Sequence, residues 1–472
     1  MSAQLKKLMK NYWFSLSSNL ISFMISAIVI AVVPKLIGAA EYGYFQLFIL
    51  YTSYVGFFHF GWCDGIYLRY GGQYYDKLDK KKMSGQFWSL SVFELAVTII
   101  LFAAIFVINP GEEKGFILFI SAFSILFVIP KTMLSYLLQL SNRIKEYSVI
   151  TIIEKLVYCV IVIVVLALGM RDYKMLIYAD IAGKLVALIV GVVYCRDIVF
   201  SKLEPIKQSL AETWANISVG IKLMVANVAG MLILGIVRLA IEDHWGIEVF
   251  GKVSLTVSVS NMMLMFVSAI GIVIFPMIKR VDSGRLNDIY DKLRDCLMVA
   301  FFGLMIFYYP AKSILSLWLP GYEESFRYMA LLFPICIFEG KMSMLINTYM
   351  KALRMENMLL VINICTVALS LVLTGVAVYS AGNLEMSIVI ILVLFGFRCV
   401  LCEIFLSKAM EKNVIRDIIY ELILVAAFVI VTWFINSWVS CLLYGLCYMI
   451  YLFLKRKEIG NMAKKILKVK HS

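Results

Sequence analysis

Long apolar runs alternate with short polar knuckles from one end of the chain to the other. The first two runs cover residues 12–36 and 44–68 and are joined only by Ile37-Gly38-Ala39-Ala40-Glu41-Tyr42-Gly43. Each is longer than the roughly 20 apolar residues that carry a helix across a bilayer. Further runs follow at 87–108, 116–140, 149–170, 175–195, 217–239, 249–275, 296–309, 328–350, 358–379, 386–406, 418–434 and 438–454. The pattern predicts an all-α polytopic membrane protein of about fourteen transmembrane helices. The run at 296–309 is short and needs Leu293 or Ala311 to complete a crossing.

One connection departs from this rhythm. Residues 196–216 are polar, yet Leu203, Ile206, Leu210 and Trp214 fall on one helical face, predicting a helix that lies on the membrane surface. It marks a boundary between halves. The expected organisation is a first bundle over 1–200, an amphipathic linker over 201–216, a second bundle over 217–410, an extra helix pair over 411–455 and a basic tail over 456–472.

Charge sets the orientation. Lys77, Lys80, Lys81, Lys82, Arg143, Lys145, Lys351, Arg354, Lys408, Lys412 and Arg416 occupy alternate connections, and the tail from Lys455 to Lys470 is basic. Basic loops stay in the cytoplasm, so both termini are expected there. The net charge of +13 is explained by these loops and does not point to nucleic acid. Lys6, Lys7 and Lys10 precede an apolar run too long for a signal peptide, so it is read as a retained first helix. With 62% hydrophobic and 16% charged residues, the chain is far from the globular average of roughly 25% charged. The ten cysteines lie mostly in apolar runs, and Cys399 and Cys402, one helical turn apart, are read as packing residues.

The two halves echo each other. Tyr42-Gly43 and Phe250-Gly251 open the helix after the first and seventh runs; Pro130 and Pro334 are expected to break corresponding helices; Arg143 and Arg354 open the following turns. All these pairs are separated by about 208 residues, as parallel repeats related by an axis along the membrane normal would be.

Three stretches carry a resemblance: Lys35-Leu36-Ile37-Gly38-Ala39-Ala40-Glu41-Tyr42-Gly43, Leu317-Trp318-Leu319-Pro320-Gly321-Tyr322-Glu323, and Arg143-Ile144-Lys145. With the architecture, they make the chain similar to Wzx-type polysaccharide repeat-unit flippases of the multidrug/oligosaccharidyl-lipid/polysaccharide (MOP) exporter superfamily. The resemblance implies a bacterial cytoplasmic membrane and a V-shaped, MATE-like pair of six-helix bundles with pseudo-two-fold symmetry. The C-terminal helix pair would pack outside them. It also implies a lipid-diphosphate-linked oligosaccharide as cargo, for O-antigen or capsule synthesis, with membrane lipids and other polysaccharide assembly proteins as partners. The extra pair departs from members with twelve spans, and lipid II flippases of the superfamily also have fourteen.

Ionisable residues inside apolar runs are costly, roughly 2.5–3.5 kcal/mol near the bilayer centre unless paired or hydrated. The cations are Lys131, Lys184, Lys222, Lys341 and Arg398, with Lys155 nearer a helix end; the acids are Asp64, Glu94, Glu154, Asp180, Glu339 and Glu403. Lys222 and Lys155 can snorkel, and Asp180 can pair with Lys184 four residues on. Lys131, Lys341 and Arg398 are expected to face a shared cavity and hold an anionic cargo through charge-assisted hydrogen bonds. His59, Asp64 and Glu339 are candidates for a coupling ion, with a hydrogen-bonded core histidine the simpler reading of His59. Gly61 and Gly65 are read as a close helix contact beside Asp64.

No Walker loop is present, and nothing calls for a cofactor, a metal or a catalytic constellation. A membrane-embedded polymerase would need a large extramembrane loop with active-site residues. A multidrug antiporter of the same fold would favour acids in its cavity.

Overall fold

The structure, a computed structural model, describes residues 3–279 and 286–456. The segment 280–285 of the basic connection and residues 457–472 of the basic tail lie outside the described residues. Every regular element among them is helical. Among the described residues, ten helices are long and apolar enough to cross a membrane, or eleven if the bent pair Pro320–Leu332 and Ile335–Ala352 is one span.

Local backbone chemistry explains why this is fewer than the expected fourteen or so. The second apolar run is split into α2 (Ala39–Val55) and α3 (Trp62–Tyr70), with Phe60 and Gly61 at positive φ between them. Neither piece is long enough alone. The seventh and eighth runs form one element, α9 (Ile206–Lys279), interrupted at Gly246, whose φ of 81° and ψ of 178° are non-helical and best suited to glycine. The last helix, Trp438–Leu454, is short.

The chain divides into two compact units, Met1–Met231 and Leu232–Ser472. The division falls inside an apolar helix and not in the 201–216 connection. From Ile206 onward that connection is already α9, so the expected free-standing surface helix is the first turns of a longer one.

Unit 1 contains α1 (Ala3–Ile37), α2, α3, α4 (Lys80–Ile108), α5 (Glu112–Leu140), α6 (Ile144–Ala167), α7 (Tyr173–Tyr194), the short α8 (Arg196–Val199) and the start of α9. Helix α5 is the axle: it packs against α2, α3, α4, α6 and α7. Its Met133, Leu134, Leu137 and Leu138 are buried in the core with Trp62, Ile66 and Leu90. It runs unbroken through Pro130, contrary to the expected break; in a membrane helix, neighbouring groups re-satisfy the carbonyl that proline frees.

The start of α9 is two-faced. Ile206, Leu210 and Trp214 are exposed, as the amphipathic pattern predicts, while Ser209, Thr213 and Asn216 are buried. The buried face docks on α3 and α4. Glu212 accepts from Arg69 at 2.5 Å and from the Tyr70 hydroxyl at 2.6 Å, and the Gln86 amide donates to the Ser209 carbonyl at 2.9 Å. Here α3 and α9 cross backbone to backbone. A Cβ on Gly65 would collide with the Asn216 carbonyl, and one on Gly220 with the Gly61 carbonyl. The Gly61/Gly65 pair is therefore the small-residue contact the sequence predicts.

Unit 2 contains the remainder of α9, then α10 (Leu286–Leu304), α11 (Tyr308–Trp318), α12 (Glu323–Leu332), α13 (Ile335–Lys341), α14 (Asn347–Ala352), α15 (Glu356–Thr374), α16 (Leu384–Ala409), α17 (Ile415–Ile435) and α18 (Trp438–Leu454). Around Pro334 the path bends by 45°, and after Lys341 the backbone widens into a π-helical stretch, Met342–Ile346. The α17–α18 pair is not an appendage. Phe428 packs against Tyr308, Phe333 and Tyr444. The hydroxyls of Tyr444 and Tyr448 donate to the Phe302 and Val299 carbonyls at 3.0 and 2.8 Å. Through these tyrosines and Phe428 the C-terminal pair is packed onto the rest of unit 2.

Candidate functional site

Among the described residues, charged side chains gather within apolar helices in both units. In unit 1, α5, α6 and α7 bring together Lys131, Glu154, Asp180 and Lys184. Lys131 Nζ lies 2.7 Å from Glu154 Oε2, and Lys184 Nζ lies 2.5 Å from Asp180 Oδ2. The Lys184 ammonium also sits 5.4 Å from the Phe48 ring centroid. Glycine makes the cluster possible, because a Cβ at Gly183 would stand 2.7 Å from the Glu154 carbonyl oxygen. Glu154 feels the positive charges of Lys131, Lys155 and Lys184 together. The Lys131 and Lys184 side chains keep 16% and 13% of their surface, enough for both pairs to be reached.

Lys131 is thus not the partnerless cation the sequence implied; its carboxylate comes from the next helix. The Asp180–Lys184 pair forms within one helix. Lys222 is exposed on α9 and takes no part in the cluster. His59 is buried, its Nδ1 accepts the Gly61 amide at 3.0 Å, and its Nε2 stands 3.8 Å from Asp64. That is the hydrogen-bonded core histidine of the simpler reading. Glu94, on α4, is fully buried, and neither of its oxygens has a hydrogen-bond partner among the described residues.

Unit 2 holds a denser network. Lys341 Nζ donates to Glu403 and, at 2.6 Å, to Glu421. Arg294 reaches the same two acids, with Nε 2.7 Å from Glu403 and Nη2 2.6 Å from Glu421. Asp417 lies 3.3 Å from Arg294 and 2.9 Å from Lys455, and Asp295 also lies 2.9 Å from Lys455. The Lys341 side chain is 2% exposed. The expectation that Lys341 offers an open charge to cargo is corrected accordingly: its donors are consumed by two carboxylates. Little in the residue pattern signals this network. Arg294 reads as a loop residue, and Glu421 opens an apolar run; only its spacing of one turn from Asp417 hinted at an inward acidic stripe.

Arg398 belongs to a separate, more open arrangement. Its Nε donates to Asn363 Oδ1 and its Nη1 to Glu339 Oε1, both at 2.8 Å. Glu403, the acid nearest in sequence, turns the other way toward Arg294 and Lys341. Glu339, a candidate for a coupling ion, is an ion-pair partner here and keeps 26% of its side-chain surface. Lys131 thus stands in a half-buried pair, Lys341 in an enclosed network and Arg398 in a half-open pair.

This helical course, with its broken second span and bent tenth, is a fold shared with solved structures. Similar solved structures are a lipid II flippase, MurJ, in an inward closed conformation (TM-score 0.67, 12% identity, covering 96% of this chain and 100% of that one). An inward-facing multidrug transporter of the MATE family matches with TM-score 0.55, 12% identity and coverages of 88% and 95%. A MOP transporter from Pyrococcus furiosus matches with TM-score 0.51, 11% identity and coverages of 86% and 97%. Residues 8–281 match the model of the polysaccharide biosynthesis protein family, and the chain belongs to that family. No curated protein matches it in sequence.

Proposed function

We propose that the protein is a flippase, not an enzyme, that carries a lipid-diphosphate-linked oligosaccharide repeat unit across the bacterial cytoplasmic membrane by alternating access. Surface polysaccharide of the O-antigen or capsule type is its destination, and both termini lie in the cytoplasm. Family membership supports the pathway and the MOP fold supports transport.

The observation that carries the cargo assignment is the reachable pairing of Lys131 with Glu154. A lysine at membrane depth is stabilised by its carboxylate while the site is empty. A diphosphate brings several anionic oxygens and displaces that carboxylate, so the lysine is never left bare. Exchange of one anion for another keeps binding moderate, as release on the far side requires. Arg398, held by Glu339, supplies the equivalent exchangeable cation in unit 2, and Lys184 a further one in unit 1. Lys341 drops out of the binding set.

The test is complementation of surface polysaccharide in a strain lacking the gene. Alanine at Lys131, Lys184 and Arg398 together should abolish export at normal membrane abundance. Wild-type export from that triple variant would overturn the cargo reading.

A further inference from the structure

The turn joining α17 and α18, with α11 and α12, lines a half-open cavity of about 530 Å³ at the start of α12. Its size falls within the roughly 300–1,000 Å³ of small-molecule sites. Its wall is polar. Lys312 is buried, and its ammonium donates to Asn436 Oδ1. Asn436 has φ 29°, in the left-handed region that asparagine tolerates better than most residues, so the turn holds that amide in one place. The Tyr309 hydroxyl donates to the Asn436 carbonyl at 3.3 Å, and its ring packs 5.3 Å from Trp438. Across the cavity, the Arg327 guanidinium lies 4.3 Å from the Trp433 ring centroid, and Tyr328 stacks on the same indole at 6.4 Å. Glu323 and Glu324, in the first turn of α12, complete the lining.

This set has a definite chemical bias. The lining holds two carboxylates and two cations, so a diphosphate gains no net attraction. A polyol is different: each hydroxyl both donates and accepts. Adjacent hydroxyls donate to a carboxylate and accept from an ammonium or guanidinium. Phenol faces cover the C–H side of a pyranose ring, which is apolar. The cations are held in place before any ligand arrives, Lys312 by Asn436 and Arg327 by Trp433, which lowers the ordering cost of binding.

We propose that this cavity is a saccharide-binding site, which holds the glycan part of the cargo on the face where it is released. The inference rests on the lipid-linked oligosaccharide reading above, but it concerns residues that reading does not use. Lysines at membrane depth grip the diphosphate; the cavity grips the sugar.

Full-length protein in nanodiscs is titrated with maltotriose, chitotriose and mannotriose while tryptophan fluorescence is followed. At least one trisaccharide should give a saturable change with Kd of about 1–10 mM. The double substitution Glu323→Gln with Glu324→Gln should weaken it about tenfold at unchanged melting temperature, because charged acceptors become neutral amides. Trp433→Phe should diminish the signal, and pyrophosphate should not compete. The proposal is overturned if none of the three saturates below about 50 mM. It is equally overturned if the double variant binds as the wild type does, or if pyrophosphate displaces the sugar. Those outcomes leave the flippase reading intact when complementation succeeds, whereas failed complementation with retained sugar binding sinks that reading instead.

Discussion

Glu421 of α17 lies 2.6 Å from the ammonium of Lys341 on α13, eighty residues earlier in the chain. Both side chains are buried. The contact ties the C-terminal helix pair to the bent helix around Pro334, and it makes Lys341 an architectural residue. Removing one member of a buried pair costs roughly 3–5 kcal/mol, because the other charge is stranded. Lys341→Ala and Glu421→Ala should each sharply lower the yield of monodisperse protein. The double substitution Lys341→Met with Glu421→Leu should recover part of it. Normal yield and melting temperature for either single variant, measured by fluorescence-detected size-exclusion chromatography, would remove the network from the list of stabilising features.

The Lys131–Glu154 pair behaves differently if its lysine serves cargo. Lys131→Ala should stop export with little change in abundance. In the charge-swapped variant, Lys131→Glu with Glu154→Lys, the pair is rebuilt and the protein should accumulate normally. Export should stay low, because the cation now sits on α6. Full export from the swapped protein would show that the pair only supports the fold.

Arg398 tests geometry as well as charge. It serves Asn363 and Glu339 with separate nitrogens of one guanidinium. Lysine has a single donor centre and cannot span both. Arg398→Lys should therefore retain a minority of export, and Arg398→Ala none, with abundance on blots close to wild type. Equal export from Arg398→Lys and wild type would mean that point charge alone suffices.

The crossing of α3 and α9 tolerates no added volume. Gly65→Ala and Gly220→Ala each place a methyl against backbone, which cannot yield as a side chain can. Both should lower thermal stability by several degrees or more, whereas Gly321→Ala, where open space surrounds the position, should not. A melting temperature for Gly65→Ala within about 1 °C of wild type would contradict the close approach.

What the sequence reveals depends on the range of the interaction. Hydropathy alone marks every apolar segment, because desolvation of the helix surface is a local property. The Asp180–Lys184 pair is legible for the same reason: a spacing of four fixes it whatever the tertiary structure. Lys131 and Glu154 are 23 residues apart, and Lys341 and Glu403 are 62 apart, on helices whose mutual rotation no spacing reveals. Such cations look bare in sequence and prove paired in space. Prolines misled in one case of two: Pro334 marks a bend, while α5 passes through Pro130 unbroken.

The enclosed network also has a consequence for biogenesis. Arg294 and Lys341 leave the ribosome long before Glu421 is made, and until then they share Glu403 alone. A nascent chain that stops after α16 holds two cations in the bilayer against a single anion there. Unit 2 therefore cannot complete its core until α17 is inserted. A chain cut before α17 leaves that surplus positive charge buried and uncompensated, so unit 2 depends on its α17 carboxylate to close its charge balance.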